Sequence, residues 1–191
     1  MSGVALPEST PRPLEIFGPP ESGAIVLVEY DPRWPERFEN ERSRIIGALD
    51  ARALSIDHIG STAVPGLAAK DIIDICLGVA DSADESAYLT DLLDAGYELR
   101  AREPDWHEHR MLRTPERDVN LHVFTIGSGE ITRCLLFRDR LRREPSERDL
   151  YEETKRSLAT NEWPTRQDYA DAKSDVVEEI IARARALDSI G

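Results

Sequence analysis

The chain has 191 residues, 24 basic against 37 acidic, and a formal net charge of −13. That balance repels a nucleic-acid backbone and disfavours DNA or RNA as a partner. No apolar run approaches the ~20 residues of a membrane span, and the N-terminus has neither the basic flank nor the apolar core of an export signal, so a cytoplasmic protein is expected.

The length suits one domain with a proper core. Cys76 and Cys134 lie far apart in apolar runs, which fits reduced core thiols better than a disulfide framework. Residues 1–23 carry Pro7, Pro11, Pro13, Pro19 and Pro20, and read as a disordered or surface-draped tail. Residues 25–28 read as a short strand or extended entry. The Asp31-Pro32 turn starts a helix that runs to about Leu49, with Phe38, Ile45, Ile46 and Leu49 on its apolar stripe. Trp34 reads as a packing anchor.

Ser55 to Ile59 is a strand ended by Gly60-Ser61. Val64 to Ala69 allows one helical turn with Pro65 near its start. Ile72 to Val79 is a buried strand, apolar except for Asp74. A helix over Asp84–Ala95 stops at Gly96, a strand covers Tyr97–Arg102, and Glu103–Glu108 is a loop. Strands at His109–Thr114 and Val119–Ile126 are expected to form a hairpin around Met111 and Val123. From Glu130 the chain is helical. Leu135, Leu136, Phe137 and Leu141 face inward, Pro145 breaks the run, a second helix covers Ser146–Ala159 and a third Arg166–Leu187. The expectation is an α/β core over residues 24–129 and a helical tail over 130–191 packed on it, one domain overall.

The chemistry concentrates in His58-Ile-Gly-Ser-Thr-Ala-Val-Pro-Gly-Leu-Ala-Ala-Lys-Asp-Ile-Ile-Asp74. A Gly-Ser turn lets a ligand approach the backbone, and N–H groups exposed at such a turn suit phosphate. An acid inside a buried strand is costly unless it is paired or holds a metal. Strand, turn, short helix and acid-bearing strand together read as a phosphate cradle facing a metal carboxylate.

These residues resemble the Gly-Ser signature of the nucleotidyltransferase superfamily, which is followed by an Asp-x-Asp pair. The closer resemblance is to the GrpB family within it. That match rests on Val28-Glu-Tyr-Asp-Pro-Arg-Trp34, the stretch from His58 to Lys70, Ile73-Asp-Ile75, His109-Arg110, Leu121-His-Val123 and Phe137-Arg-Asp-Arg-Leu-Arg142, and spans about residues 25–186. It implies an α+β, nucleotidyltransferase-like mixed sheet packed with helices and followed by a C-terminal helical segment. It departs from the superfamily at Cys76, which stands where the second metal acid belongs; a thiol is a poor magnesium ligand. Asp71, three residues before Asp74, would point to the other face unless a bulge re-aims it.

The resemblance implies transfer of a nucleotidyl group from a nucleoside triphosphate, ATP among the candidates, to a small-molecule acceptor. Gly60 and Ser61 would hold phosphate. Asp74 would hold a divalent metal, magnesium or manganese ahead of zinc. His122 would complete the metal site or act as base, so that Asp74 and His122 are the catalytic candidates. Lys70, Arg110, Arg138 and Arg142 are the cationic candidates for the phosphates, with surface ion pairing as the alternative for the two helix arginines. His58 is expected to fix the turn by a hydrogen bond, His109 to line the cavity mouth, and Tyr151 with Lys155 to frame the cleft or simply pack. Cys76 favours a rival reading, a catalytically degenerate module binding a nucleotide or a protein. Fusions of the family to dephospho-CoA kinase are compatible with that accessory role. A metal-dependent hydrolase using Asp74 and His122 is a third reading.

Overall fold

The computed structural model describes residues 13–19 and 23–188, so most of the expected N-terminal tail lies outside the described residues. The elements run β1 (Glu15–Ile16), α1 (Trp34–Leu49), β2 (Ser55–Ile59), β3 (Ile73–Val79), α2 (Leu89–Asp94), β4 (Glu98–Glu103), β5 (His109–Arg113), β6 (Val119–Thr125), α3 (Gly129–Arg143), α4 (Pro145–Ala159), α5 (Arg166–Asp171) and α6 (Ser174–Asp188). Among the described residues one mixed sheet has the order β1-β4-β5-β6-β3-β2. β3 and β6 pair in parallel, and the other neighbours are antiparallel. The architecture is α+β, and none of these helices is long and apolar enough to cross a membrane.

Side-chain alternation along β3 and β6 explains the two layers. Ile73, Ile75 and Leu77 of β3, with Val119, Leu121 and Val123 of β6, are buried in one cluster with Trp34, Phe38, Ile45 and Leu49 of α1. Each such fully buried aliphatic side chain contributes roughly 1.5–3 kcal/mol. The intervening residues Asp74, Cys76, Asn120, His122 and Phe124 then face the opposite side. There Cys76 and Phe124 pack with Ile59 and with Ile131, Cys134 and Leu135 of α3. Val64 and Leu67 meet Leu141, Tyr151 and Ile180, tying the loop after β2 to α3, α4 and α6. Both cysteines are free.

The expected hairpin is present, with Arg110 opposite Val123 and Met111 opposite His122. Several local expectations are corrected. Of the two readings of residues 25–28, the strand is overturned: only a bridge between Val28 and Ala69 forms. Residues 64–69 make no helical turn: the helical turn is 3₁₀, covers Ser61–Ala63, and is followed by a turn at Pro65-Gly66. The expected helix over residues 84–95 is split, because Tyr88 leaves helical geometry (φ −150°) and buries its ring while its hydroxyl donates to Ser82 O at 2.7 Å. The expected third C-terminal helix is broken into α5 and α6 around Lys173. Pro145 ends one helix by starting the next, in the first-turn position where its missing N–H costs nothing. Within the proline-rich tail, Glu15 and Ile16 pair with Arg102 and Ala101 of β4. Arg100 grips that arm by donating to the carbonyls of Phe17, Gly18 (3.1 Å) and Pro19 (2.8 Å).

Candidate functional site

Gly60 ends β2 with φ +68° and ψ −168°, a conformation that L side chains rarely adopt. A Cβ built there would lie 2.5 Å from Asp74 Oδ2. The turn is therefore closed directly onto the carboxylate of the next strand. The turn is fastened from all sides. His58 Nε2 lies 3.0 Å from Thr62 Oγ1, which donates to Ile72 O at 3.1 Å. Arg138 Nη1 donates to His58 O at 3.1 Å, and Arg142 Nε donates to Ala63 O at 2.8 Å. Lys155 Nζ, from α4, donates to Ser61 Oγ at 3.2 Å and to Ala68 O.

Asp74 stands beside Asn120, whose Nδ2 donates to Oδ1 at 2.8 Å, and His122, whose Nε2 is 3.9 Å from Oδ1. Burial pushes the Asp74 carboxyl upward, but its surroundings, with Asn120 donating to it and Lys70 nearby, hold it below the usual range. Above these residues opens a cavity of about 900 Å³ between the sheet, the arm at β1, and the α4–α5 region. This is the size of a site for a nucleotide-sized ligand. Its wall carries Lys70, Arg100, Arg117, Lys155, Arg166 and Lys173 against the two acids Asp74 and Glu103.

Two lysines crowd the ring of Tyr169, and a third lies over Tyr151. Lys70 Nζ is 5.7 Å and Lys173 Nζ 4.7 Å from the Tyr169 centroid, and Lys155 enters from Tyr151, 4.9 Å from that ring. Burial, reinforced by the charge of Lys173, lowers Lys155 to about 7; burial lowers Lys70 and Lys173 as well. The Tyr169 hydroxyl is buried without a hydrogen-bond partner among the described residues. Such a concentration of disfavoured positive charge and an unsatisfied donor fits an anion in the cavity.

Of the residues singled out from sequence, Gly60, Ser61, Lys70, Asp74 and His122 come together on this wall. Arg110, Arg138 and Arg142 do not. Arg138 and Arg142 are spent on backbone carbonyls of the Gly-Ser turn, as above. Arg110 is paired with Val123 and so faces the opposite layer, where its Nε donates to Glu85 at 2.6 Å beside Arg102. Arg110→Met is therefore expected to destabilise the fold by about 2 kcal/mol, through the lost hydrogen bonds to Glu85 and to the carbonyls of Glu108 and His109, since Arg102 still pairs with Glu85. It should leave anion binding unchanged; urea unfolding and titration calorimetry check the two halves.

The metal expectation meets a thin donor set. Asp71 turns away, accepting from Trp34 Nε1 at 2.8 Å and from Arg37. Cys76 is fully buried and its thiol is pushed up to about 12, so it offers no thiolate. Among the described residues no group of three His, Cys, Asp or Glu side chains could hold an ion. The two-acid magnesium arrangement does not fit this site.

Sequence reasoning left Glu103, Tyr169 and Lys173 unassigned. Lys173 was hidden by the break between α5 and α6, which carried no proline or glycine to announce it.

The class that emerges is an α+β protein with a cationic cavity behind a Gly-Ser turn. The GrpB protein family matches residues 24–183, and the chain belongs to that family. It is 56% identical to a UPF0157 protein of Halalkalibacterium halodurans over 167 residues, 87% of this chain and 86% of the other. It is 50% identical to a UPF0157 protein of Streptomyces coelicolor over 185 residues, 97% and 96% of the two chains. The crystal structure of the conserved protein GrpB from Enterococcus faecalis matches with a TM-score of 0.74 at 32% identity, covering 83% of this chain and 96% of that one.

Proposed function

We propose that the cavity binds a nucleoside triphosphate and transfers its nucleotidyl group to a small acceptor, as expected of a nucleotidyltransferase-like fold. The observation that carries this reading is the basic wall, six cations against two acids in a chain of net charge −13. An acidic protein gathers cations inward to hold an anion. Lys70, Lys155 and Lys173 would bind the phosphates, beside the Gly60-Ser61 turn and the Tyr169 hydroxyl. The acceptor oxygen attacks the α-phosphorus, the new O–P bond forms, the bond to the bridging oxygen breaks and pyrophosphate leaves. His122 Nε2 takes the acceptor proton, and Asp74 stabilises the imidazolium so formed. A divalent ion enters the proposal only as one carried by the triphosphate.

Isothermal titration with ATP, GTP, CTP and UTP, each with magnesium, with manganese and with EDTA, tests the reading against a Lys70→Ala, Lys173→Ala double variant. Micromolar binding of a triphosphate, weakened at least tenfold in the variant, is expected. No binding of any triphosphate in the three conditions overturns it. The burial of Cys76 in the place of a second acid favours one other reading, a module that binds the nucleotide without transferring it. Binding with no pyrophosphate released in the presence of candidate acceptors would point there.

A further inference from the structure

His122 does not stand alone on the cavity floor. His109 Nε2, on β5, lies 3.0 Å from His122 Nδ1, and the two rings stack with centroids 5.2 Å apart. His109 Nδ1 in turn lies 2.6 Å from Glu103 Oε2, at the end of β4. Register explains the alignment: Glu103 is the cross-strand partner of His109, and Met111, two residues on and on the same face, is that of His122. His109 cannot rotate out of line. Phe124 stacks on it at 4.7 Å and Trp106 meets it edge-on at 5.1 Å.

The order of donors follows from the Glu103 end, because His122 Nε2, 3.9 Å from Asp74 Oδ1, is beyond hydrogen-bond reach of that carboxylate. The hydrogen bond from His109 holds the Glu103 carboxyl below its usual range, so it is an acceptor at neutral pH. Burial pushes the His109 imidazole down to about 4, against the pull of Glu103, so the ring is neutral and carries one N–H. That hydrogen sits on Nδ1, facing the carboxylate, which leaves Nε2 as an acceptor. Its partner, His122 Nδ1, must then be the donor. His122 is left with Nε2 directed at Asp74 and the cavity.

We infer that Glu103 and His109 are positioning residues, a two-member relay that fixes His122 as the Nδ1–H tautomer and keeps its Nε2 lone pair on the cavity side. The inference rests on the proposed role of His122 as base, and extends it to two residues that act through His122. Glu103 bonds His109, and His109 bonds His122. What Glu103 supplies is a direction: without it, His109 could carry its hydrogen on either nitrogen, and His122 could answer with either face. The proton taken from the acceptor stays on His122 Nε2, opposite the Asp74 carboxylate.

The test is long-range ¹H–¹⁵N correlation NMR of the four histidines in the full chain at pH 7.5, assigned with single His→Asn variants, in the wild type, Glu103→Leu and His109→Phe. The last keeps an aromatic ring against Phe124 and Trp106 while removing both nitrogens. In the wild type, both His109 and His122 are expected as Nδ1–H forms. Each substitution should shift His122 toward Nε2–H by about tenfold, with the amide spectrum reporting an intact fold. A wild-type His122 that carries its hydrogen on Nε2 overturns the inference, as does an unchanged His122 tautomer in both folded variants. Because no ligand is added, failure here leaves nucleotide binding standing, and failure of nucleotide binding leaves the tautomer result standing.

Discussion

Gly60→Ala is expected to lower stability by about 3 kcal/mol and to loosen anion binding in the same stroke. An L residue held in the left-handed region costs ~1–2 kcal/mol. The new Cβ adds a clash 2.5 Å from Asp74 Oδ2, and overpacking of this kind costs ~1–3 kcal/mol. The carboxylate cannot retreat cheaply, because Asn120 Nδ2 holds its other oxygen at 2.8 Å and Ile59 and Asp74 are cross-strand partners. For a chain of this size, each kcal/mol moves the midpoint by about 2–4 °C, so a thermal melt should fall by about 6–12 °C. A variant melting within about 2 °C of the wild type would show that the turn and the carboxylate are not coupled.

Triphosphate affinity should depend on pH through Lys155. Its ammonium is 2% exposed and titrates at about 7, chiefly because it is buried, with Lys173 adding repulsion. An anion favours the charged form, so binding raises that pKa and takes up a proton where the free site is neutral. The sign is that affinity is full below pH 7 and declines above it, up to tenfold per pH unit. Between pH 6 and 8.5 one such proton amounts to about thirty-fold. The triphosphate titrates too, so the quantity to follow is the ratio of wild-type affinity to that of Lys155→Met, measured by titration calorimetry across this range. A ratio that stays flat removes Lys155 from the phosphate site.

The layers were readable because one face of β3 is strictly apolar. Ile73, Ile75 and Leu77 dictate a buried side, and alternation alone then delivers Asp74 and Cys76 to the other. Parity could have settled Arg110 as well: once Met111 lies opposite His122, its neighbour must face the opposite layer. Arg138 and Arg142 were drawn to the right loop from the wrong side, since a sequence shows a basic pair at helical spacing but not whether phosphate or a backbone carbonyl receives it. The sequence places Lys155 only as framing the cleft or packing, and Lys173 not at all, since both lie about a hundred residues beyond Ser61 and no local pattern carries that distance. Residues 15 and 16 were missed for a different reason. Strand pairing of two residues is set by the waiting edge of β4, while the composition around them argues only for irregularity.

That short pairing has a consequence for anyone who handles the protein. β4 would otherwise end the sheet with a row of open backbone groups, the kind of border along which separate chains zip together. The arm occupies that border, clamped by Arg100, and at the same time lends Leu14, Ile16 and Gly18 to the cavity wall. Trimming the arm as dispensable would strip a guard from the sheet and a wall from the cavity together. A shortened chain that clumped and bound poorly would be reporting on the scissors rather than on the site.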